Sequence, residues 1–136
     1  AAQAHFVPLY RDVPRPEDAL AEVDAALAPL LPLDVAVLGM GADGHTASFF
    51  PGGDRLAEAL DRAAPGGVLP IRAPGAGEPR ITLTLPVLRE ARHLFLHIEG
   101  EAKREVLQRA VGPEGRELPV SVVLDAAEPP EIYWCP

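Results

Sequence analysis

Cysteine, methionine and tryptophan each occur once in these 136 residues, aromatic residues make up only 5%, and cations are scarce. The single Cys135 cannot close an internal disulfide or build a thiolate zinc cluster, and it fits a reducing, cytoplasmic compartment. Twelve Lys and Arg against 20 Asp and Glu leave a formal charge of −8, which argues against nucleic acid or an anionic membrane as a partner through the overall field. An anionic ligand must then be held by a few local groups. No apolar run approaches the roughly 18–20 residues that span a bilayer, and the opening A-A-Q-A-H-F-V-P lacks a cationic start followed by an apolar run. With 48% hydrophobic and 24% charged residues, the balance is that of one soluble globular domain over 1–136, and disorder over most of the chain is excluded.

Proline and glycine are abundant instead, 16 and 12 residues, and they fall mostly between periodic segments. The stretch 65–79 is so dense in both that it reads as a loop, since together they block helix and central strand. Pro16, Glu17 and Asp18 open a helix carrying Leu20, Val23 and Leu27 at helical spacing, and Pro29 and Pro32 end it. The run L-D-V-A-V-L-G at 33–39 is nearly all apolar, as expected of a strand buried on both faces of a parallel sheet. Beyond the loop, Ile81, Leu83 and Leu85 alternate with Arg80, Thr82 and Thr84, which predicts a strand with one apolar and one polar face. A short helix follows at 87–91, a strand at 93–98, and a helix at 101–111 between Gly100 and Gly112-Pro113. V-S-V-V-L at 120–124 and E-I-Y-W at 131–134 read as two closing strands. Strands alternating with helices predict an α/β fold with a mostly parallel sheet, whose functional loops lie at the strand C-termini.

That rule points to G-M-G-A-D-G-H-T-A-S-F-F-P at 39–51, which leaves the apolar strand. Gly39, Gly41 and Gly44 satisfy the dinucleotide pattern G-x-G-x-x-G, but that pattern needs a crossover helix starting at once, and Pro51-Gly52-Gly53 stops any helix after about two turns. The three glycines let backbone approach a small ligand, and Asp43 and His45 stand two positions apart at the loop tip.

The run V-L-G-M-G-A-D-G-H-T-A-S-F-F-P-G resembles the signature of the 6-phosphogluconolactonases, within the glucosamine-6-phosphate isomerase/deaminase superfamily. The resemblance continues through P-R-I-T-L-T-L-P-V-L (79–88), H-L-F-L-H-I-E-G-E-A-K (93–103) and L-P-V-S-V-V (118–123), in the family's order over nearly the whole chain. The deaminase branch typically shows an Asn-Glu-Pro-like sequence after its D-G-H, so T-A-S-F-F-P favours the lactonases. The family's early G-G-S-T-P-like phosphate loop and D-E-R segment do not occur here. The resemblance therefore implies a three-layer sandwich of which this chain is the C-terminal part, with the N-terminal part missing. On that expectation the chain alone is a poor enzyme and associates with itself through the surface left uncovered.

The activity implied is hydrolysis of 6-phospho-D-glucono-1,5-lactone to 6-phosphogluconate in the oxidative pentose phosphate pathway. The alternatives are an isomerase/deaminase acting on amino-sugar phosphates and a non-catalytic sugar-phosphate-binding regulatory module. Lactone hydrolysis needs a base for the attacking water, a donor for the oxyanion and an acid for the leaving ring oxygen. The resemblance places the family's catalytic histidine on His45, and a free imidazole titrates near pH 6.5 (about), which suits taking a proton and returning it. Asp43 orients that ring, contacts the substrate, or bonds its own backbone. Arg80, with its planar fork, and Lys103, in the first turn of a helix, match positions the resemblance implies for the substrate phosphate; the plainer readings are a solvated arginine and a Glu99–Lys103 surface pair. Gly39, Gly41 and Gly44 complete the candidate substrate-binding set. His93 and His97 share a strand side but lack a third ligand at diagnostic spacing, so they read as a strand face, and Tyr133 and Trp134 read as packing. No cofactor and no metal are called for.

Overall fold

The structure, a computed structural model, describes residues 3–126 and 128–136. Pro16 starts a 3₁₀ turn at Pro16–Ala19 that leads into α1 (Leu20–Leu27), and a second 3₁₀ turn at Ala28–Leu30 ends the segment. Ala19, Val23 and Leu27 are buried together against partly buried Val68, Ile81 and Leu83. The periodicity seen in the sequence is thus the face that seats the helix.

Three strands, β1 (Val35–Leu38), β4 (His93–Glu99) and β5 (Glu131–Cys135), form a parallel sheet in the order β1-β4-β5. In register, Val37 faces Phe95 and Phe95 faces Glu131. A second sheet pairs β2 (Val68–Ile71) with β3 (Arg80–Leu83), antiparallel. Ala36, Leu38, Leu96 and Ile98 point into one core with residues from three helices: α3 (Leu85–Arg89), α4 (Glu101–Val111) and α5 (Pro119–Leu124). A four-residue helix, α2 (Leu56–Ala59), adds Ala59 to the same core. The parallel sheet and its helices agree with the expected α/β class. Of the three expected layers, the described residues supply the sheet and helices on one of its faces.

Several expectations need correction. The strand at 33–39 is not buried on both faces: Val35 and Val37 are 51% and 67% exposed. Side chains alternate across a strand, and on the side of Val35, Val37, His93, His97 and Tyr133 no described helix covers the sheet. The segment 120–124 is helix, not strand. Its β-branched run favours a strand by propensity, but Pro119 at the first helical position sets φ, and a helix carries both Val120 and Val123 into full burial. The segment 65–79 is not loop throughout, because it contains β2. Pro70 is tolerated there because a two-stranded sheet leaves every strand a free edge where a missing N–H costs little.

The polar face of β3 is also not a solvent face. Thr82 and Thr84 are buried; Thr82 Oγ1 accepts the Ser48 N–H at 3.3 Å and Thr84 Oγ1 accepts the Gly67 N–H at 3.3 Å. Hydroxyls at these positions satisfy loop donors that would otherwise be buried unpaired. The short helix lies two residues before the expected 87–91, and α4 matches 101–111. Trp134 donates through Nε1 to Gly100 O at 3.2 Å and stacks beneath Arg104, whereas Tyr133 meets Phe95 edge-on and stays half exposed.

The N-terminal helical segment is tied to the hairpin by a charged fork: Arg72 donates to Glu17 through Nη1 at 2.6 Å and Nη2 at 3.0 Å. The hydrogen bonds from Arg72, with lesser help from backbone, hold the Glu17 carboxyl down at about 2, against an ordinary value of 4.5. A carboxyl lowered on folding adds stability that is complete above its unfolded pKa and is lost as pH falls through the folded one. Melting temperature measured from pH 7 down to pH 2 (about) should therefore fall less steeply in Glu17→Gln than in the parent, with the two curves converging between pH 4.5 and 2. Curves that stay parallel through that window would show that the fork contributes nothing; being exposed, it is a modest contributor in any case.

Candidate active site

The loop after β1 is closed on itself by its own backbone. Gly41 N–H donates to His45 O at 2.9 Å and Gly44 N–H to Gly41 O at 3.0 Å, while Thr46 Oγ1, buried, donates to Gly39 O at 2.7 Å. Thr46 and Phe49 then form a single antiparallel bridge. Among the described residues no helix begins inside this loop, so the glycine pattern is not a dinucleotide fingerprint. Two of its glycines have a steric reason to be there. A Cβ on Gly41 would lie 2.3 Å from the His45 ring and 2.6 Å from Asp43 Oδ1; Gly44 has φ +77° and a Cβ there would meet Leu118 at 2.9 Å. Leu118 leads into α5, whose Val120 N–H donates to Gly44 O at 3.0 Å. The start of α5 therefore buttresses the loop from behind.

Within this frame Asp43 Oδ1 accepts from His45 twice, from the backbone N–H at 3.2 Å and from ring Nδ1 at 2.6 Å. Partial burial raises the Asp43 carboxyl, but the hydrogen bonds from the His45 backbone and ring, with the attraction of a His45 charge, outweigh it and hold the carboxyl below its ordinary value. An ionised carboxylate can only accept, so Nδ1 must carry the proton, and in the neutral ring Nε2 is left with its lone pair. Phe50 stacks on the imidazole with centroids 4.2 Å apart and planes at 29°. The ring is thus held at its edge by a carboxylate and on its face by an aromatic side chain.

His45, Gly39, Gly41, Ala47 and Lys103 line one open cleft of about 430 Å³ at the C-terminal end of β1. Lys103 reaches it from the first turn of α4, whose start is set by Gly100 at φ +84° and by the Gly100 N–H donating to Cys135 O at 2.9 Å. The structure brings His45, Asp43, Gly39, Gly41, Gly44 and Lys103 to one region. It places Arg80 elsewhere, in a neighbouring cleft of about 360 Å³ with Tyr10, Arg11 and Ser48, where its guanidinium donates to Ala76 O at 3.0 Å and stands 3.5 Å from Glu78. The turn at 46–49 separates the two, with Ala47 in one cleft and Ser48 in the other. Sequence reasoning missed Thr46, Phe50 and Leu118. The first two were visible only as members of T-A-S-F-F-P, and the contact of Leu118 with Gly44 spans too many residues for any local pattern to show.

Residues 1–134 match the family described as glucosamine-6-phosphate isomerases/6-phosphogluconolactonase. The chain belongs to that family. It is 53% identical over 139 residues to a 6-phosphogluconolactonase of Rhizobium meliloti (strain 1021), and 55% identical over 138 residues to one of Mesorhizobium japonicum. In both cases all of this chain is covered, and it spans 60% and 58% of the length of those relatives. A solved 6-phosphogluconolactonase from Shewanella baltica OS155 superposes with a TM-score of 0.80 at 32% identity, covering 98% of this chain and 57% of that one. Membership in this glucosamine-6-phosphate isomerase/6-phosphogluconolactonase family agrees with the fold and with the loop motif from which the site is built.

The steric role of Gly44 can be measured directly. Gly44→Ala should lower unfolding free energy by about 1–3 kcal/mol, because it puts a side chain at positive φ and against Leu118. Urea denaturation checks this, and an unchanged midpoint would mean that the loop and α5 are not packed as described.

Proposed function

We propose that the whole protein hydrolyses 6-phospho-D-glucono-1,5-lactone to 6-phosphogluconate, in the cytoplasm, with His45 as general base and then general acid. The observation that carries this reading is the 2.6 Å bond from His45 Nδ1 to Asp43, which leaves Nε2 as the basic nitrogen beside a cleft that also holds Lys103. Nε2 takes a proton from water as its oxygen attacks the lactone carbonyl. The tetrahedral intermediate collapses by expelling the ring oxygen, and the imidazolium returns the proton to that oxygen. Asp43 stabilises the imidazolium while it lasts and keeps the ring in the useful tautomer. Lys103 supplies the local cation that an acidic chain needs for a phosphate. The names of the relatives support the same reaction.

The exposed sheet face bears on the rest of the reading. A 136-residue chain with Val35, Val37 and Tyr133 half or more exposed on one sheet face has apolar surface that favours association. We infer that it self-associates through this face. Sedimentation velocity should show dimers or larger species that Val37→Lys returns to monomer; a parent chain that stays monomeric at the highest attainable concentration removes this part of the reading.

In the whole protein His45→Ala should lower kcat by about 10²–10⁴-fold with a smaller effect on KM, since a base acts mainly in the transition state. The assay must subtract spontaneous hydrolysis, and a near-parental rate at saturating substrate would take His45 out of the mechanism. Lys103→Ala should weaken the phosphorylated lactone more than its unphosphorylated analogue, by about 1.5–3 kcal/mol; equal losses on both would assign Lys103 to something other than phosphate.

A further inference from the structure

We propose that His97, Glu99 and Cys135 form a binding site for a zinc-class dication at the C-terminal ends of β4 and β5. The sequence alone found no third ligand for His93 and His97, because the missing donors come from register and not from spacing. Glu99 and Cys135 are directly paired across the parallel β4–β5 ladder. His97 stands two residues before Glu99, and the two-residue period of a strand sends all three side chains to the same face. One donor atom from each lies within 4.8 Å of the others, and His97 Nε2 is already 3.7 Å from Glu99 Oε1. Zinc bonds of about 2.0–2.3 Å in a tetrahedron put ligand atoms about 3.3–3.8 Å apart. The histidine–glutamate edge has that length now, and the Cys135 sulfur lies within 4.8 Å of both on an exposed side chain free to change rotamer.

The backbone beneath the cluster is held independently of any metal. Gly100 N–H donates to Cys135 O at 2.9 Å, and Trp134 Nε1 donates to Gly100 O at 3.2 Å, locking the end of β5 to the turn that follows β4. Two of the three donor positions therefore cannot drift apart, which lowers the entropy lost on binding. The donor chemistry selects the ion. Nitrogen, oxygen and thiolate together suit zinc and its borderline neighbours, whereas calcium and magnesium demand oxygen. Three protein ligands leave a fourth position for water. The cluster shares no residue with the cleft of His45 and Lys103, so a metal here bridges two strand ends and does not enter the hydrolytic step.

The test uses the reduced, chelator-stripped protein, held at a concentration where sedimentation shows it to be monomeric so that the sheet face carrying the cluster is free, titrated with Zn²⁺ against a chromophoric competitor, and with Co²⁺ in parallel. One equivalent of zinc should bind, Co²⁺ should give a thiolate-to-metal charge-transfer band and the visible bands of a tetrahedral site, and zinc should raise the melting temperature. Cys135→Ser and His97→Ala should each weaken zinc by at least about tenfold, and Cys135→Ser should abolish the charge-transfer band. His93→Ala, on the same face but outside the cluster, should bind as the parent does. All three positions are exposed, and circular dichroism of each variant checks that it is folded. Uptake well below one equivalent, or zinc affinity unchanged in both Cys135→Ser and His97→Ala, overturns the proposal.

Discussion

The hydrogen bond between His45 Nδ1 and Asp43 is made by residues only two apart, and a chain can place two such side chains edge to edge only if the backbone between and around them turns sharply. Everything near the site serves that turn. Gly41 leaves empty the space that the ring and the carboxylate occupy together, Thr46 ties the far side of the loop to Gly39, and Phe50 closes over the imidazole. A glycine in such a loop is usually credited to close approach of a ligand. Here the molecule approaching Gly41 is the protein's own histidine.

The turn depends in its own right on parts of the chain far away in sequence. β1 delivers the loop to the C-terminal edge of the sheet, where strand ends and helix starts converge. β3 lends Thr82 to the Ser48 N–H, and α5 sets Leu118 and Val120 against Gly44. The same edge receives Lys103 from α4. The helical core is thus the support of a small cationic and basic cleft, and the opposite sheet face, where Val35, Val37 and Tyr133 are exposed, reaches that cleft through Val37.

How much of this could be read beforehand depended on whether the cause was local. Helix α4 was legible because Gly100 and Gly112 bracket an amphipathic run, and the loop at 39–51 was legible from its residue types and its family resemblance. The helix at 119–124 was not, because V-S-V-V-L has strand propensity and only its seat against the core makes it helical. β2 was hidden by its proline, which a two-stranded sheet tolerates. Arg80 illustrates the limit for function: its side chain is of the right kind on the right strand, but the turn at 46–49 sets it in a separate cleft from His45. The grouping of His97, Glu99 and Cys135 depends on strand register, which no spacing rule contains.

The account rests on His45 having Nδ1 protonated toward Asp43 and Nε2 bare. Nitrogen-15 NMR of the histidine ring, at a pH where His45 is neutral, reads this directly through the two nitrogen shifts and their couplings to ring protons. The structure predicts an Nδ1–H tautomer for His45 that reverts toward Nε2–H in Asp43→Ala. A predominant Nε2–H tautomer in the parent protein would contradict it, since the basic nitrogen would then face the carboxylate and not the cleft.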